Sequence, residues 1–262
     1  MTRPDRRARA GAADAGGARG TSARPGRREL ALVAVTVAIA LGVLALAGPV
    51  TPGLPLAFWF VACVLGERLW VRLPLGGATL SMAACFNFAA TLLLPPGDAL
   101  LAVALSTVVG ERWFMRKPAL RVIFNASQSL LSCAAAGAAL RALLPARLAP
   151  AEALTTFEML PVLAAALAYA AVNTGSVAAA VAISERVTPW SAWRRLFGSG
   201  LNLSVEGASL SLGVLVAVHV AHAGLAATAF ALCPLVVAHQ AYRMHLARAS
   251  GERTEEESAR AA

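Results

Sequence analysis

The 262-residue chain is 58% hydrophobic and 14% charged, with a mean hydropathy of +0.66. A soluble domain usually carries about 25% charged residues, and several apolar runs here approach the roughly 20 residues that cross about 30 Å of hydrocarbon. The net charge of +9 comes almost wholly from arginine, since Lys117 is the only lysine. These charges lie at helix ends and in the N-terminal segment, so anionic lipid at the cytoplasmic face is a better-matched partner than nucleic acid. Composition therefore predicts an integral membrane protein.

The chain divides into three predicted parts. Residues 1–28 are rich in Arg, Gly and Ala without apolar periodicity, which predicts a disordered basic cytoplasmic tail. Residues 29–245 carry the apolar runs and predict a membrane helix bundle. Residues 246–262 include a run of Glu and predict a short cytoplasmic tail. The first apolar run ends in a small-residue sequence, 45–47, that is similar to a signal cleavage site; the length of the run and the spans that follow favour an uncleaved helix.

Eight apolar segments predict an all-α, polytopic bundle of about eight transmembrane helices. They are 30–47, 54–71, 78–94, 99–114, 119–143, 159–184, 200–221 and 225–242. Asp98 follows a Pro-Pro-Gly turn and is suited to cap the fourth helix. Pro189, with Trp190 and Trp193 after it, predicts the start of a short interfacial helix.

The positive charges orient this bundle. With the N-terminus in the cytoplasm, eight spans place every Lys and Arg on the cytoplasmic side except Arg141 and Arg147. An excess of Lys and Arg in cytoplasmic loops is typical of membrane proteins. The pattern predicts a multi-pass protein with both termini cytoplasmic.

A short sequence repeat occurs at two predicted cytoplasmic helix ends. The sequences VLGERLWVRLP and VVGERWFMRKP contain Glu67-Arg68 and Glu111-Arg112 at matching positions, and each precedes a helix carrying Phe-Asn. A fainter third copy surrounds Glu185. Related helical hairpins of this kind occur in transporters. The two Glu-Arg pairs are interpreted either as ion pairs at headgroup depth or as carboxylates that face a central cavity.

Polar residues recur on the helix after Pro118. Arg121, Asn125 and Gln128 are spaced by four and three residues, which puts them on one helix face. In an apolar bundle that face should point inward. The amides either hydrogen-bond a neighbouring helix, with about 0.6 to 2 kcal/mol per bond, or form part of a ligand or ion site.

Glu206 is the most informative single residue. With Asn202 it forms a polar row on the seventh segment, roughly 9 Å into the span at about 1.5 Å per residue. A carboxylate at that depth must pair, become protonated or face water. We predict that it shares a polar layer with Asn125, Gln128, Asn87 and Asn173. Arg121 is the predicted ion-pair partner of Glu206.

Catalysis, metal binding and cofactor binding find little support in the sequence. It contains no HExxH, GxSxG, P-loop or dinucleotide-binding pattern, and none of its four histidines is followed by Asp. His219 and His222 are predicted to be interfacial. The cysteines Cys63, Cys85, Cys133 and Cys233 each lie in an apolar run and are interpreted as packing residues. We expect a non-enzyme without metal or cofactor.

The order of these features resembles the N-terminal multi-pass membrane region found ahead of bacterial HD-GYP-type and related HD-domain phosphohydrolase signalling domains. The similar elements are Gly66-Glu67-Arg68 with Arg72 and Pro74, the AATLLLPP turn (89–96), Phe124-Asn125-Ala126 with Gln128, and Val172-Asn173. The resemblance covers about residues 30–245 and implies a sensory or anchoring role in the bacterial cytoplasmic membrane. The chain departs from the family after Tyr242, because the metal-binding His-Asp and GYP signatures are missing, so no phosphodiesterase activity is implied.

Three functions remain open from the sequence. The first is a non-catalytic sensor or receptor with a polar intramembrane site, a small-molecule ligand, and a cytoplasmic signalling partner or a second copy of itself. The second is a small-solute transporter, or a substrate-binding subunit of the kind found in vitamin uptake, which the hairpin organisation loosely resembles. The third is a structural anchor whose polar residues only hold helices together.

Overall fold

The computed structural model describes residues 26–72, 79–145, 152, 154, 159–198 and 200–261. Of the predicted N-terminal tail it describes only the last three residues, and helix α1 begins within them at Arg27. The rest of that tail lies outside the described residues.

The described chain is almost entirely helical. Its helices are α1 (Arg27–Leu46), α2 (Leu54–Arg68), α3 (Ala83–Leu93), α4 (Pro96–Val109), α5 (Ala119–Leu143), α6 (Met159–Glu185), α7 (Pro189–Phe197) and α8 (Leu201–Ala261). Proline stands in the first turn of α2, α4 and α7, where its missing N–H costs no hydrogen bond. The last turn of α4 widens into a π-helix, Gly110–Phe114.

Four helical segments within the described chain are long and apolar enough to cross a membrane. They are Arg27–Leu46, Ala119–Leu143, Met159–Glu185 and Asn202–Phe230. The membrane character of the chain agrees with them, whereas the expected number of eight spans is not confirmed. Helices α2, α3 and α4 have 15, 11 and 14 residues, fewer than the roughly 20 that a perpendicular span requires.

The sequence analysis predicted the end of the second helix and the start of the third incorrectly. Helix α2 ends at Arg68, and a short antiparallel hairpin follows, with β1 (Trp70–Arg72) paired to β2 (Thr79–Ser81). Trp70 and Val71 suit a strand at least as well as a helix. An apolar run does not by itself distinguish the two.

Helix α3 is the centre of the bundle. All residues from Cys85 to Leu92 are buried, and the helix packs against α2, α5 and α8. Small residues allow these close approaches, since a Cβ on Gly66 would lie 2.7 Å from the Phe86 ring, and one on Gly213 would lie 2.6 Å from the Cys85 carbonyl oxygen. Helix α3 is therefore enclosed by protein.

The outer surface of α1 and α6 is apolar. In the most apolar 18-residue stretch of each helix, only 11% of α1 and 22% of α6 is buried. The exposed side chains include Val35, Ile39, Leu163 and Leu167. Contiguous apolar surface of this kind is typical of a membrane-facing element.

Asp98 joins two connections at one end of the bundle. The predicted N-cap role is wrong, because α4 begins at Pro96 and the N-cap residue is Pro95. The buried carboxylate instead accepts a 2.7 Å hydrogen bond from the backbone N–H of Thr51, in the α1–α2 connection. The α1–α2 and α3–α4 connections consequently lie together.

The C-terminal part confirms the helix predicted at Pro189. Thr188 caps α7 by accepting a hydrogen bond from the Ser191 N–H, and the Trp190 and Trp193 rings stack at 5.3 Å. Helix α8 is broken at Gly224, where φ is 81°, a value that favours glycine. Helical backbone continues to Ala261, through most of the segment predicted as a tail.

Candidate functional site

Glu111 is the centre of a buried polar cluster at the end of α4. It lies in the π-helical turn and is 5% exposed. Its Oε1 lies 2.5 Å from Lys117 Nζ, and Asn125 Nδ2 donates to Oε1 and Oε2 at 2.7 and 2.9 Å. Turns of this kind are frequent at functional sites, and this one directs Glu111 towards α5.

Glu67 lies beside Glu111 and is 6% exposed. Its side chain packs against Gly110, where an added Cβ would lie 2.3 Å from the Cβ of Glu67. The Glu67 carboxylate is close enough to Glu111 and Lys117 for their charges to interact. Two buried carboxylates and one ammonium group therefore share one end of the bundle.

The interpretation of each Glu-Arg motif as an ion pair is wrong. Glu111 pairs with Lys117, and the Arg68 guanidinium lies over the Phe114 ring, 5.3 Å from its centroid. Arg112 is exposed. In both copies the glycine allows a close approach and the glutamate is buried, so the repeat preserves a buried carboxylate. Glu185, in the faint third copy, is instead exposed and pairs with Arg195.

A second polar group connects three helices. Gln128 Nε2 on α5 donates to Asn173 Oδ1 on α6, and Asn173 Nδ2 donates to Glu206 Oε1 on α8 at 2.8 Å. Gln128 is buried, and the other two are half-buried. Of the predicted polar layer, the structure therefore joins Gln128, Asn173 and Glu206 by hydrogen bonds. We call Gln128, Asn173 and Glu206 the amide–carboxylate chain.

Arg121 does not pair with Glu206. It is exposed, and neither of the two ion pairs found within the described residues includes it. The prediction failed because equal depth along two helices does not fix the direction in which each residue faces. Asn202 is also separate from the amide–carboxylate chain, since its Nδ2 donates to the Leu196 carbonyl at the end of α7.

Asn87 is buried on α3 and its side-chain oxygen is unsatisfied. It is 2% exposed, and Oδ1 has no hydrogen-bond partner within the described part of the chain. Its backbone carbonyl accepts from Thr91 Oγ1 at 2.8 Å and from Cys133 Sγ at 3.7 Å. The nearby Tyr169 hydroxyl interacts with the Asn87 side chain. A buried acceptor without a partner usually costs about 1 to 3 kcal/mol.

Helix α5 brings the two polar groups together. Asn125 faces Glu111, while Gln128, one turn further, faces Asn173 and through it Glu206. Sequence reasoning missed Lys117 and Tyr169. Its signals for them were that Lys117 is the only lysine and that Tyr169 precedes Asn173 by one helical turn.

Within the described ranges, no group of three or more His, Cys, Asp or Glu side chains is placed so that it could hold a metal ion. Cys63, Cys85 and Cys133 are buried free thiols, as expected of packing residues. The side chain of Cys233 is outside what the structure describes.

The fold and site define a helical protein with membrane-spanning character and a buried polar interior. No family model, no curated protein and no solved structure matches the chain.

Proposed function

We propose that the chain is a non-catalytic sensor or receptor module of a bacterial cytoplasmic membrane, with its ligand site at Glu206. The amide–carboxylate chain is the observation that carries the proposal. Ionisable residues inside a membrane bundle are costly, and they commonly mark ligand or ion sites. The resemblance to membrane regions ahead of HD-domain signalling enzymes supports the same role.

Asn173 gives this site a way to transmit a signal. Its amide accepts from Gln128 and donates to Glu206, so both of its ends are engaged. A cation at Glu206 would weaken the bond that holds Asn173, and Asn173 would then be free to reorient against Gln128. Binding at α8 would in this way alter the packing of α5 against α6. A cytoplasmic partner or a second copy would detect that change.

The Glu206 site favours a small organic cation. Its carboxylate is half-buried, and only Oε1 has a hydrogen-bond partner among the described residues. The purified chain should therefore melt at a higher temperature with at least one member of a panel of small amines. Glu206→Gln should abolish that increase, because the amide keeps the size of the side chain and removes its charge.

The matched control for this measurement is Glu185→Gln, which removes an exposed carboxylate that pairs with Arg195. This variant should respond to the amines as the unmodified protein does. Amines that stabilise Glu206→Gln as strongly as the original chain would contradict a ligand site at Glu206.

The alternative is a small-solute transporter or a substrate-binding subunit of the vitamin-uptake type. The observation that favours it is the pair of buried carboxylates, Glu67 and Glu111, on two copies of one repeated motif. Transporter sites commonly lie at repeat interfaces. Uptake of the stabilising amine into proteoliposomes would support transport, whereas binding without uptake would support the sensor.

The proposal retains eight membrane segments with both termini in the cytoplasm. In it, α2, α3 and α4 cross the membrane as short helices within the bundle. Reporter fusions after Gly97 and Arg147 should read as external, and one after Arg195 as internal, because of the one-sided distribution of arginine. A Cβ added at Gly97 would lie 2.7 Å from the Gly48 carbonyl oxygen, and this closeness of the α1–α2 and α3–α4 connections supports the proposed topology. An external C-terminal reporter would contradict the topology.

A further inference from the structure

We propose that a cavity next to α1 binds a long-chain carboxylic acid taken from the bilayer, and that Arg141 holds its carboxylate. The site is separate from the amide–carboxylate chain and does not depend on the function proposed above. The cavity has a volume of about 570 Å³ and lies between α1, α3, α4, α5 and α6. This volume is within the range of small-molecule sites.

The wall of the cavity is apolar apart from three side chains. Alanine, leucine and valine dominate it, and its polar members are Thr91, Cys133 and Arg141. Thr91 and Cys133 already donate to the Asn87 carbonyl. Arg141 is therefore the charged group that remains available to a ligand.

The guanidinium of Arg141 lies over Gly137 at the wall of the cavity. Its Nη1 lies 3.2 Å from the position of a Cβ on Gly137, one turn earlier on α5, so a larger residue there would crowd it. Neither ion pair in the described part of the chain involves Arg141. A guanidinium matches a carboxylate with two parallel hydrogen bonds.

The lining residues on α5 extend along the helix, which suits a single acyl chain. From Arg141 to Cys133 the cavity follows α5 for about 12 Å, at 1.5 Å per residue. An acyl chain beneath one carboxylate satisfies both the apolar wall and the single positive charge. Helix α1, which is mostly unburied, forms one side and would give such a ligand access from the lipid.

Binding of radiolabelled oleate to the purified full-length chain in detergent tests the proposal. We expect saturable binding that weakens at least tenfold in Arg141→Gln, because the charge is lost while an exposed side chain is replaced without disturbing the core. Arg141→Lys should be intermediate. Ala134→Trp, which fills the cavity, should abolish binding, and circular dichroism should show that each variant keeps its helices.

The matched control is Ala57→Trp in a second cavity of about 320 Å³, whose lining residues are uncharged. It should leave oleate binding unchanged. Oleyl alcohol, which lacks the carboxylate, should compete at least tenfold more weakly than oleate. Equal binding by Arg141→Gln, equal competition by the alcohol, or equally effective displacement by phosphatidylglycerol would overturn the proposal, the last because a bilayer phospholipid would then be the occupant.

Discussion

Replacing Gly213 by alanine should lower the free energy of unfolding by about 2 to 3 kcal/mol, which is near the upper end for an added methyl group in a packed interior. The new Cβ would lie 2.6 Å from the Cys85 carbonyl oxygen and 3.4 Å from the Phe88 Cβ. Because the nearest atom belongs to the backbone of α3, no side chain can rotate to make room, and α8 must move away. Unfolding of the purified variant by titration with a denaturing detergent would measure the loss.

Gly207→Ala is the control on the same helix. Apart from its chain neighbours and the backbone of its own helix, no atom lies within 4 Å of a Cβ at Gly207, and alanine favours a helix over glycine by about 1 kcal/mol. This variant should be as stable as the original chain or slightly more stable. Equal losses at both positions would show that α8 does not pack closely on α3.

Replacing Lys117 by methionine should cost roughly 2 kcal/mol of stability. The change removes the ammonium group from Glu111 and leaves two buried carboxylates, Glu67 and Glu111, without a cation. Losing one member of a fully buried pair costs about 3 to 5 kcal/mol. The expected loss is smaller because the Lys117 side chain is 29% exposed.

A second substitution separates charge from packing. Adding Glu67→Gln to Lys117→Met should recover part of the lost stability, since it removes one of the two like charges. The control is Arg112→Met, which removes an exposed cation from the π-helical turn that contains Glu111. It should change stability by less than about 0.5 kcal/mol. If the double variant were no more stable than Lys117→Met alone, repulsion between Glu67 and Glu111 would not explain the loss.

The sequence predicted helices best where apolar runs were long and bounded by proline. Segment 119–143 coincides with α5, and segment 159–184 matches α6 to within one residue. The helix prediction failed between Arg68 and Ala83, where two short paired strands replace the expected helix ends. That stretch combines apolar side chains with a Pro-Leu-Gly-Gly turn sequence, and hydropathy alone does not distinguish a strand from a helix end.

The sequence allowed the polar residues of the candidate site to be predicted, but not which of them would be hydrogen-bonded to each other. The spacing of Arg121, Asn125 and Gln128 predicted one inward polar helix face, of which Gln128 is buried, Asn125 is half-buried and Arg121 is exposed. It did not indicate that Asn125 faces Glu111 while Gln128 faces Asn173, since partner choice depends on how α4 and α6 are rotated about their axes. The π-helical turn adds to the difficulty, because it shifts Glu111 away from the direction that a regular α-helix would give it.

The enclosure of α3 has a consequence for how the chain is made. At 11 residues it is about 16 Å long, too short to be a stable span alone, and helix α8, one of its main packing partners, is synthesised more than 100 residues later. Helix α3 can pack against α2 and α5 once these are made, but the face that contacts α8 stays uncovered until α8 is synthesised. Chains truncated before Leu201 should leave this face uncovered and be removed by membrane quality-control proteases. Assembly of this bundle is completed from its C-terminal half.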